Sequence, residues 1–219
     1  MPIEAVIFDM DGVLVDSEVY WLRSRQEFAR DLGKTWSDDD QRLAMGRSTI
    51  EWAQVMQDRL SITMSLEDIM ADMKRRVIAH YAEKLPTRPG ALEAVHLAAA
   101  HFRVGLASGS PTEIIQEVMR LTGLDAVFEV MVYGDDMVHG KPAPDIYIEA
   151  MQQLGVTPEV SLGIEDSSNG IRSLKAAGMY AIAAPSPDFP LSADIIALAD
   201  AHITTLEDFN LDLVRAIGG

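Results

Sequence analysis

Two aspartates stand two residues apart in Phe8-Asp9-Met10-Asp11-Gly12-Val13, directly after a short apolar run over residues 5–8. Like charges at a buried strand end are costly. The pattern becomes intelligible if a divalent cation lies between them and the glycine lets the backbone turn tightly. A carboxylate so placed can attack phosphorus, and the resulting aspartyl-phosphate divides one hard displacement into two easier ones. The second carboxylate can protonate the leaving oxygen and later deprotonate the attacking water. Alone, Asp-x-Asp reads more readily as an acidic turn or an adventitious cation site.

Three other segments change that balance. Ser108-Gly109-Ser110 follows an apolar run at 104–107 and precedes a helix, so a hydroxyl and backbone N–H groups, that of Gly109 among them, can cradle a phosphate. Ser110 suits an ordinary N-cap, which leaves Ser108 for a ligand. Lys141 lies within Gly140-Lys141-Pro142-Ala143-Pro144-Asp145, where its compact ammonium can neutralise a phosphoryl oxygen. Gly163-Ile164-Glu165-Asp166-Ser167 adds a second acidic pair and completes a hard-oxygen cation site.

The elements that must position these residues follow from the pattern. Apolar, β-branched runs at 5–8, 104–107, 127–133, 160–164 and 181–184, with a weaker one at 202–204, read as buried strands. Helical stretches lie between most of them. Ser110-Pro111-Thr112-Glu113 has the form of a capping box and Gly123 closes that helix; another spans 144–154 before Gly155, and a third ends at Gly178. Strands alternating with helices predict a three-layer α/β fold, a Rossmann-like parallel sheet whose ligands bind at the carboxyl ends of the strands. Between the first strand and Pro89-Gly90 the chain is wholly helical in pattern, with Trp52, Val55, Met56 and Leu60 on one face and Met70, Met73, Val77 and Tyr81 on another. Capping patterns at Ser48-x-x-Glu51 and Ser65-x-x-Asp68 mark two helix starts. We expect a catalytic core of residues 1–17 plus 86–219 and an inserted α-helical cap at 18–85, joined by hinges near 16–18 and 85–88.

Composition narrows the partners. A net charge of −16 over 219 residues opposes binding to nucleic acid or an anionic membrane surface. The chain has no cysteine, which excludes disulfides and zinc-thiolate sites, and its five histidines have no metal-ligand spacing. No apolar stretch is long enough to span a bilayer and the first residues lack a leader pattern, so a cytoplasmic protein is expected. A monomer is the default for a capped fold of this size.

The segments around Asp9, Ser108, Lys141 and Glu165-Asp166, in that order, resemble the four motifs of the haloacid dehalogenase superfamily, in the helical-cap branch that includes β-phosphoglucomutase and many sugar-phosphate phosphatases. The resemblance implies Asp9 as nucleophile and Asp11 as general acid/base. It further implies Mg2+ held by Asp9, the Asp11 carbonyl and Asp166 with Glu165 beside it, and a phosphoryl group held by Ser108, Gly109 and Lys141. Dehalogenases of the superfamily lack the second carboxylate, so Asp11 favours phosphoryl transfer. Trp21 occupies the place of a mutase histidine, and Arg47 lies two residues before the position, here Thr49, of a mutase arginine. Both departures favour a phosphatase of a small phosphorylated metabolite over a phosphosugar mutase, with Trp21 and Arg47 as cap residues that choose the substrate. Trp21 reads equally as cap packing, since Phe28 and Leu32 continue its face. His139 is a lesser candidate beside Lys141, and Lys74-Arg75-Arg76 reads as a solvated helix face. A phospho-signalling receiver also combines aspartate, hydroxyl and lysine, but places its acidic pair first. A non-catalytic binding protein is the remaining alternative.

Overall fold

A computed structural model describes residues 2–44 and 48–219. Six strands, β1 (Ala5–Phe8), β2 (Arg103–Ser108), β3 (Val130–Tyr133), β4 (Ser161–Glu165), β5 (Tyr180–Ala183) and β6 (Ala201–His202), form one sheet in the order β3-β2-β1-β4-β5-β6. Every neighbouring pair is parallel. Parallel strands need helical crossovers on both faces, so both faces must be apolar. In β1, Val6 and Phe8 enter one buried cluster while Ala5 and Ile7 enter the other. Helices α5 (Ala91–Ala99), α6 (Thr112–Thr122) and α10 (Leu211–Gly218) cover the first face, and α7 (Asp145–Leu154), α8 (Ser168–Ala176) and α9 (Ala193–Ile196) the second. The three-layer α/β core is therefore as the alternation of strands and helices predicts.

Between β1 and α5 the chain forms four further helices, α1 (Glu18–Asp31), α2 (Asp38–Ala44), α3 (Thr49–Leu60) and α4 (Leu66–Glu83). Ser48 and Glu51 make a complete capping box on α3, and the Ser65 hydroxyl accepts from the Asp68 N–H at 3.1 Å. Phe28, Trp52, Met56, Met73, Val77 and Tyr81 bury the facing sides of these helices in a cluster continuous with the first face of the sheet. Two chain segments cross side by side beneath the cap. Val15 bridges Thr87 in antiparallel fashion, and the Asp16 N–H donates to the Pro86 carbonyl at 2.8 Å. The buried Arg88 guanidinium ties this crossing to the core by donating to the carbonyls of Gly12, Ala184 and Pro185.

Three local expectations need correction. The third strand begins at Val130, not 127, because a 3-10 turn over Leu124–Ala126 follows the left-handed Gly123 and the Val127 and Phe128 N–H groups bond back to the Leu124 carbonyl. The last strand is a two-residue pairing at Ala201–His202. The basic triplet of α4 is more engaged than a solvated face: Lys74 pairs with Glu113 of α6 at 2.6 Å, joining cap to core, and Arg76 pairs with Asp31 at 2.7 Å.

Candidate active site

The strand order runs outward from β1 in both directions, which makes the carboxyl end of β1 the point where ligands bind such sheets. Phe8, the last residue of β1, pairs with Leu106 on one side and Ile164 on the other. Asp9 therefore emerges between the ends of β2 and β4, and its N–H still donates to the Ile164 carbonyl at 3.0 Å. Beyond it the chain turns sharply: the Leu14 and Val15 N–H groups return to the Met10 carbonyl, and Gly12 adopts φ +75°. A side chain at Gly12 would be strained by that φ and would collide with the Asp166 carboxylate.

Lys141 reaches the site from the loop after β3. Its Nζ lies 2.7 Å from Asp9 Oδ1 and 2.7 Å from Glu165 Oε1, and donates to the Ala107 carbonyl at 3.2 Å. Glu165 is wholly enclosed. It accepts from the Tyr147 hydroxyl at 2.8 Å and from the Asp166 N–H and Ser167 hydroxyl, each at 3.1 Å. Gly170, in the first turn of α8, presses so closely on Glu165 that a Cβ there would overlap the carboxyl group. Asp11 faces the other way: its Oδ2 accepts from Ser108 Oγ at 3.0 Å and from Ser110 Oγ at 2.7 Å, while Oδ1 is buried without a hydrogen-bond partner. No atom lies within 4 Å of where a Cβ on Gly109 would stand, so the loop after β2 opens onto free space.

The charges explain what such a site needs. Asp9, Glu165 and Asp166 each offer an oxygen within 4.8 Å of the other two, against the single ammonium of Lys141. Burial pushes the Asp9 carboxyl up to about 8, with Lys141 opposing and Glu165 and Asp11 reinforcing the shift. Burial and the same carboxylate neighbours push Asp166 well up. Lys141 holds its proton more tightly than usual despite burial, because Asp9 and Glu165 face it. Excess negative charge on hard oxygens is the donor set that suits Mg2+.

The amino-acid pattern can now be set beside known proteins. A family model of haloacid dehalogenase-like hydrolases matches residues 3–178. The chain belongs to that family. The hydrolase is 36% identical over 183 residues to a phosphorylated carbohydrates phosphatase of Thermotoga maritima, covering 82% of this chain and 83% of the relative. It is 29% identical over 217 residues to hexitol phosphatase B of Escherichia coli K12, covering 93% of each. Among solved structures, CbbY from Rhodobacter sphaeroides in complex with phosphate superposes with a TM-score of 0.85 at 28% identity, over 94% of this chain and 96% of that one.

Asp9, Asp11, Ser108, Gly109, Lys141, Glu165 and Asp166 thus gather at one end of the hydrolase's sheet. Ser110 differs from expectation. The helix starts at Thr112 with Pro111 as its cap residue, and the Thr112 N–H is satisfied by Asp135 at 2.9 Å, which leaves the Ser110 hydroxyl for Asp11. The Asp11 carboxylate bonds to the two serines, while the grouped oxygens are those of Asp9, Glu165 and Asp166. Trp21 is buried in the cap against Trp52, with ring centroids 5.5 Å apart. Arg47 lies outside the described residues. His139 forms a surface pair with Asp145 at 2.9 Å. Tyr147 and Arg88 escaped the sequence reading. Tyr147 carries a faint signal, an aromatic hydroxyl in the first turn of the helix that follows the lysine loop; Arg88 carries none, since its partners are backbone carbonyls distant in sequence.

Proposed function

We propose that this phosphoric monoester hydrolase removes phosphate from a small sugar or polyol monophosphate, with Asp9 as nucleophile. The observation that carries the proposal is the pairing of Asp9, 2.7 Å from Lys141, with a second carboxylate, Asp11, that two serine hydroxyls hold in place. Asp9 forms a bond to phosphorus as the bond to the leaving oxygen breaks, and Asp11 gives that oxygen its proton. Water then attacks the phosphorus of the aspartyl-phosphate, Asp11 takes the water's proton, and phosphate leaves with Asp9 restored. Lys141 balances charge on the equatorial oxygens, and Ser108 with the Gly109 N–H orients them. Mg2+ would be held by Asp9, Asp166 and the Asp11 carbonyl, and supplies Lewis-acid stabilisation of the phosphoryl group.

The relatives support a carbohydrate-like leaving group: one is named for phosphorylated carbohydrates, one for hexitol phosphates, and a further CbbY structure contains xylulose-1,5-bisphosphate. A mutase finds less support, since Trp21, packed against Trp52, offers no acid or base where the mutase has a histidine. Phosphate release from a panel of sugar, polyol and aryl phosphates, with and without Mg2+, tests the assignment. Metal-dependent release that disappears in Asp9→Asn is expected. Interconversion of glucose 1- and 6-phosphates faster than phosphate release would instead make the protein a mutase.

A further inference from the structure

Two polar attachments join the cap to the core. One is the crossing of the two chain segments, where Val15 bridges Thr87 and Arg88 is tied to core carbonyls. The other is an ion pair between helices: Lys74 of α4 places its Nζ 2.6 Å from Glu113 Oε1 in the first turn of α6. Among the described residues, no other side-chain ion pair links helices α1 to α4 with the core. At 1.5 Å per residue, Lys74 stands about 15 Å along α4 from Lys84 at the helix end nearest the crossing, so the pair acts on the cap at a distance from its hinge.

Beside the pair, cap and core do not close on each other. A cavity of about 350 Å3 is walled by Ile50, Met70, Ala71 and Lys74 itself on the cap side and by Pro111 and Asp135 on the core side. Parting the seam there breaks few apolar contacts. Its core wall continues from the catalytic loop: Pro111 follows Ser110, whose hydroxyl donates to Asp11 at 2.7 Å, and Asp135 accepts from the Thr112 N–H at 2.9 Å. Glu113 is half exposed and Lys74 keeps partial access to water, yet the hydrogen bond from Lys74 holds the Glu113 carboxyl below its usual range. An ion pair this wet adds little to the stability of a fold. It is suited to biasing two arrangements by a few-fold.

We propose that Lys74 and Glu113 are positioning residues that form a clasp. The pair holds the cap over the carboxyl end of the sheet while substrate is bound, and its separation lets phosphate and the dephosphorylated product leave. The inference rests on the phosphatase reading for its kinetic consequence alone, because opening can be followed without turnover.

The chain has no cysteine, so thiols introduced as Thr63→Cys and Gln116→Cys carry the only spin labels. Both positions are exposed, the first in the cap before α4, the second on α6 beyond Glu113. Glu113 is favoured by the dipole of α6 whether or not Lys74 is present, so Lys74→Glu leaves that helix intact. Pulsed electron paramagnetic resonance on Lys74→Glu protein is expected to show a longer separation, with the open-to-closed ratio raised about five-fold, and adding Glu113→Lys is expected to remove it. In turnover of a sugar or polyol phosphate, Lys74→Glu raises KM by about five-fold without lowering kcat, since an open cap loses substrate and frees product faster; the double reversal restores both constants. Equal separations in the wild type and Lys74→Glu, or a fall in kcat that Glu113→Lys does not repair, overturn the clasp and leave the phosphatase reading standing. Failure of the wild type to release phosphate from any substrate would remove that reading, and the separations would still decide the clasp.

Discussion

Asp11 and its serines illustrate how single residues divide the work. A general acid matters most when the leaving oxygen is basic, so Asp11→Asn is expected to slow hydrolysis of an alkyl phosphate by about 10²–10⁴-fold, and of an activated aryl phosphate by much less. A comparison of kcat for the two substrates checks this; equal losses would mean that Asp11 acts only through structure. Ser110, 2.7 Å from Asp11, was expected as a helix cap because a serine before proline and a glutamate fits that pattern. Its partner is almost a hundred residues away in sequence, and nothing local announces it. Tyr147 is similar. Its hydroxyl completes the surroundings of the fully buried Glu165, and Tyr147→Phe should cost about 1–3 kcal/mol of stability, measured by denaturant unfolding, because a buried carboxylate loses one donor.

At the scale of elements, Gly12 joins strand, turn and the Asp166 carboxylate. Gly12→Ala must strain a φ of +75° and displace the Asp166 carboxylate, so loss of Mg2+ affinity is expected alongside loss of stability, measurable by calorimetric titration. Unaltered affinity would mean that Asp166 does not hold the metal. The strands were legible because a parallel sheet buried on both faces requires continuous apolar runs, as in Ala5–Phe8, and the cap helices because their apolar faces repeat with the period of a helix. Strand ends were less so. Gly123 reads as a stop in sequence, but only the structure shows that the turn after it draws the Val127 and Phe128 N–H groups back to Leu124, out of the next apparent strand. The cap residues that face the substrate were least legible, because Trp21 has the same apolar signature whether it packs inward or lines the site.

For the whole molecule, charge couples stability to the metal. An unfolded aspartate titrates near 3.8, whereas Asp9 in the fold retains its proton up to about 8. Between those values the folded state binds more protons than the unfolded one, so the metal-free protein loses stability as pH rises through that window. A divalent cation offsets the same repulsion without a proton. Mg2+ should therefore raise Tm more at pH 8 than at pH 5, by about 5–10 °C at saturating metal; an equal rise at both pH values would speak against carboxylate binding. No described helix is long and apolar enough to cross a membrane. The central claim is that Asp9 carries the phosphoryl group. Borohydride added during turnover reduces an acyl phosphate to an alcohol, so the peptide containing Asp9 should be recovered with homoserine at that position, only when both substrate and Mg2+ are present. Phosphate release with Asp9 unmodified and another residue labelled would contradict the account.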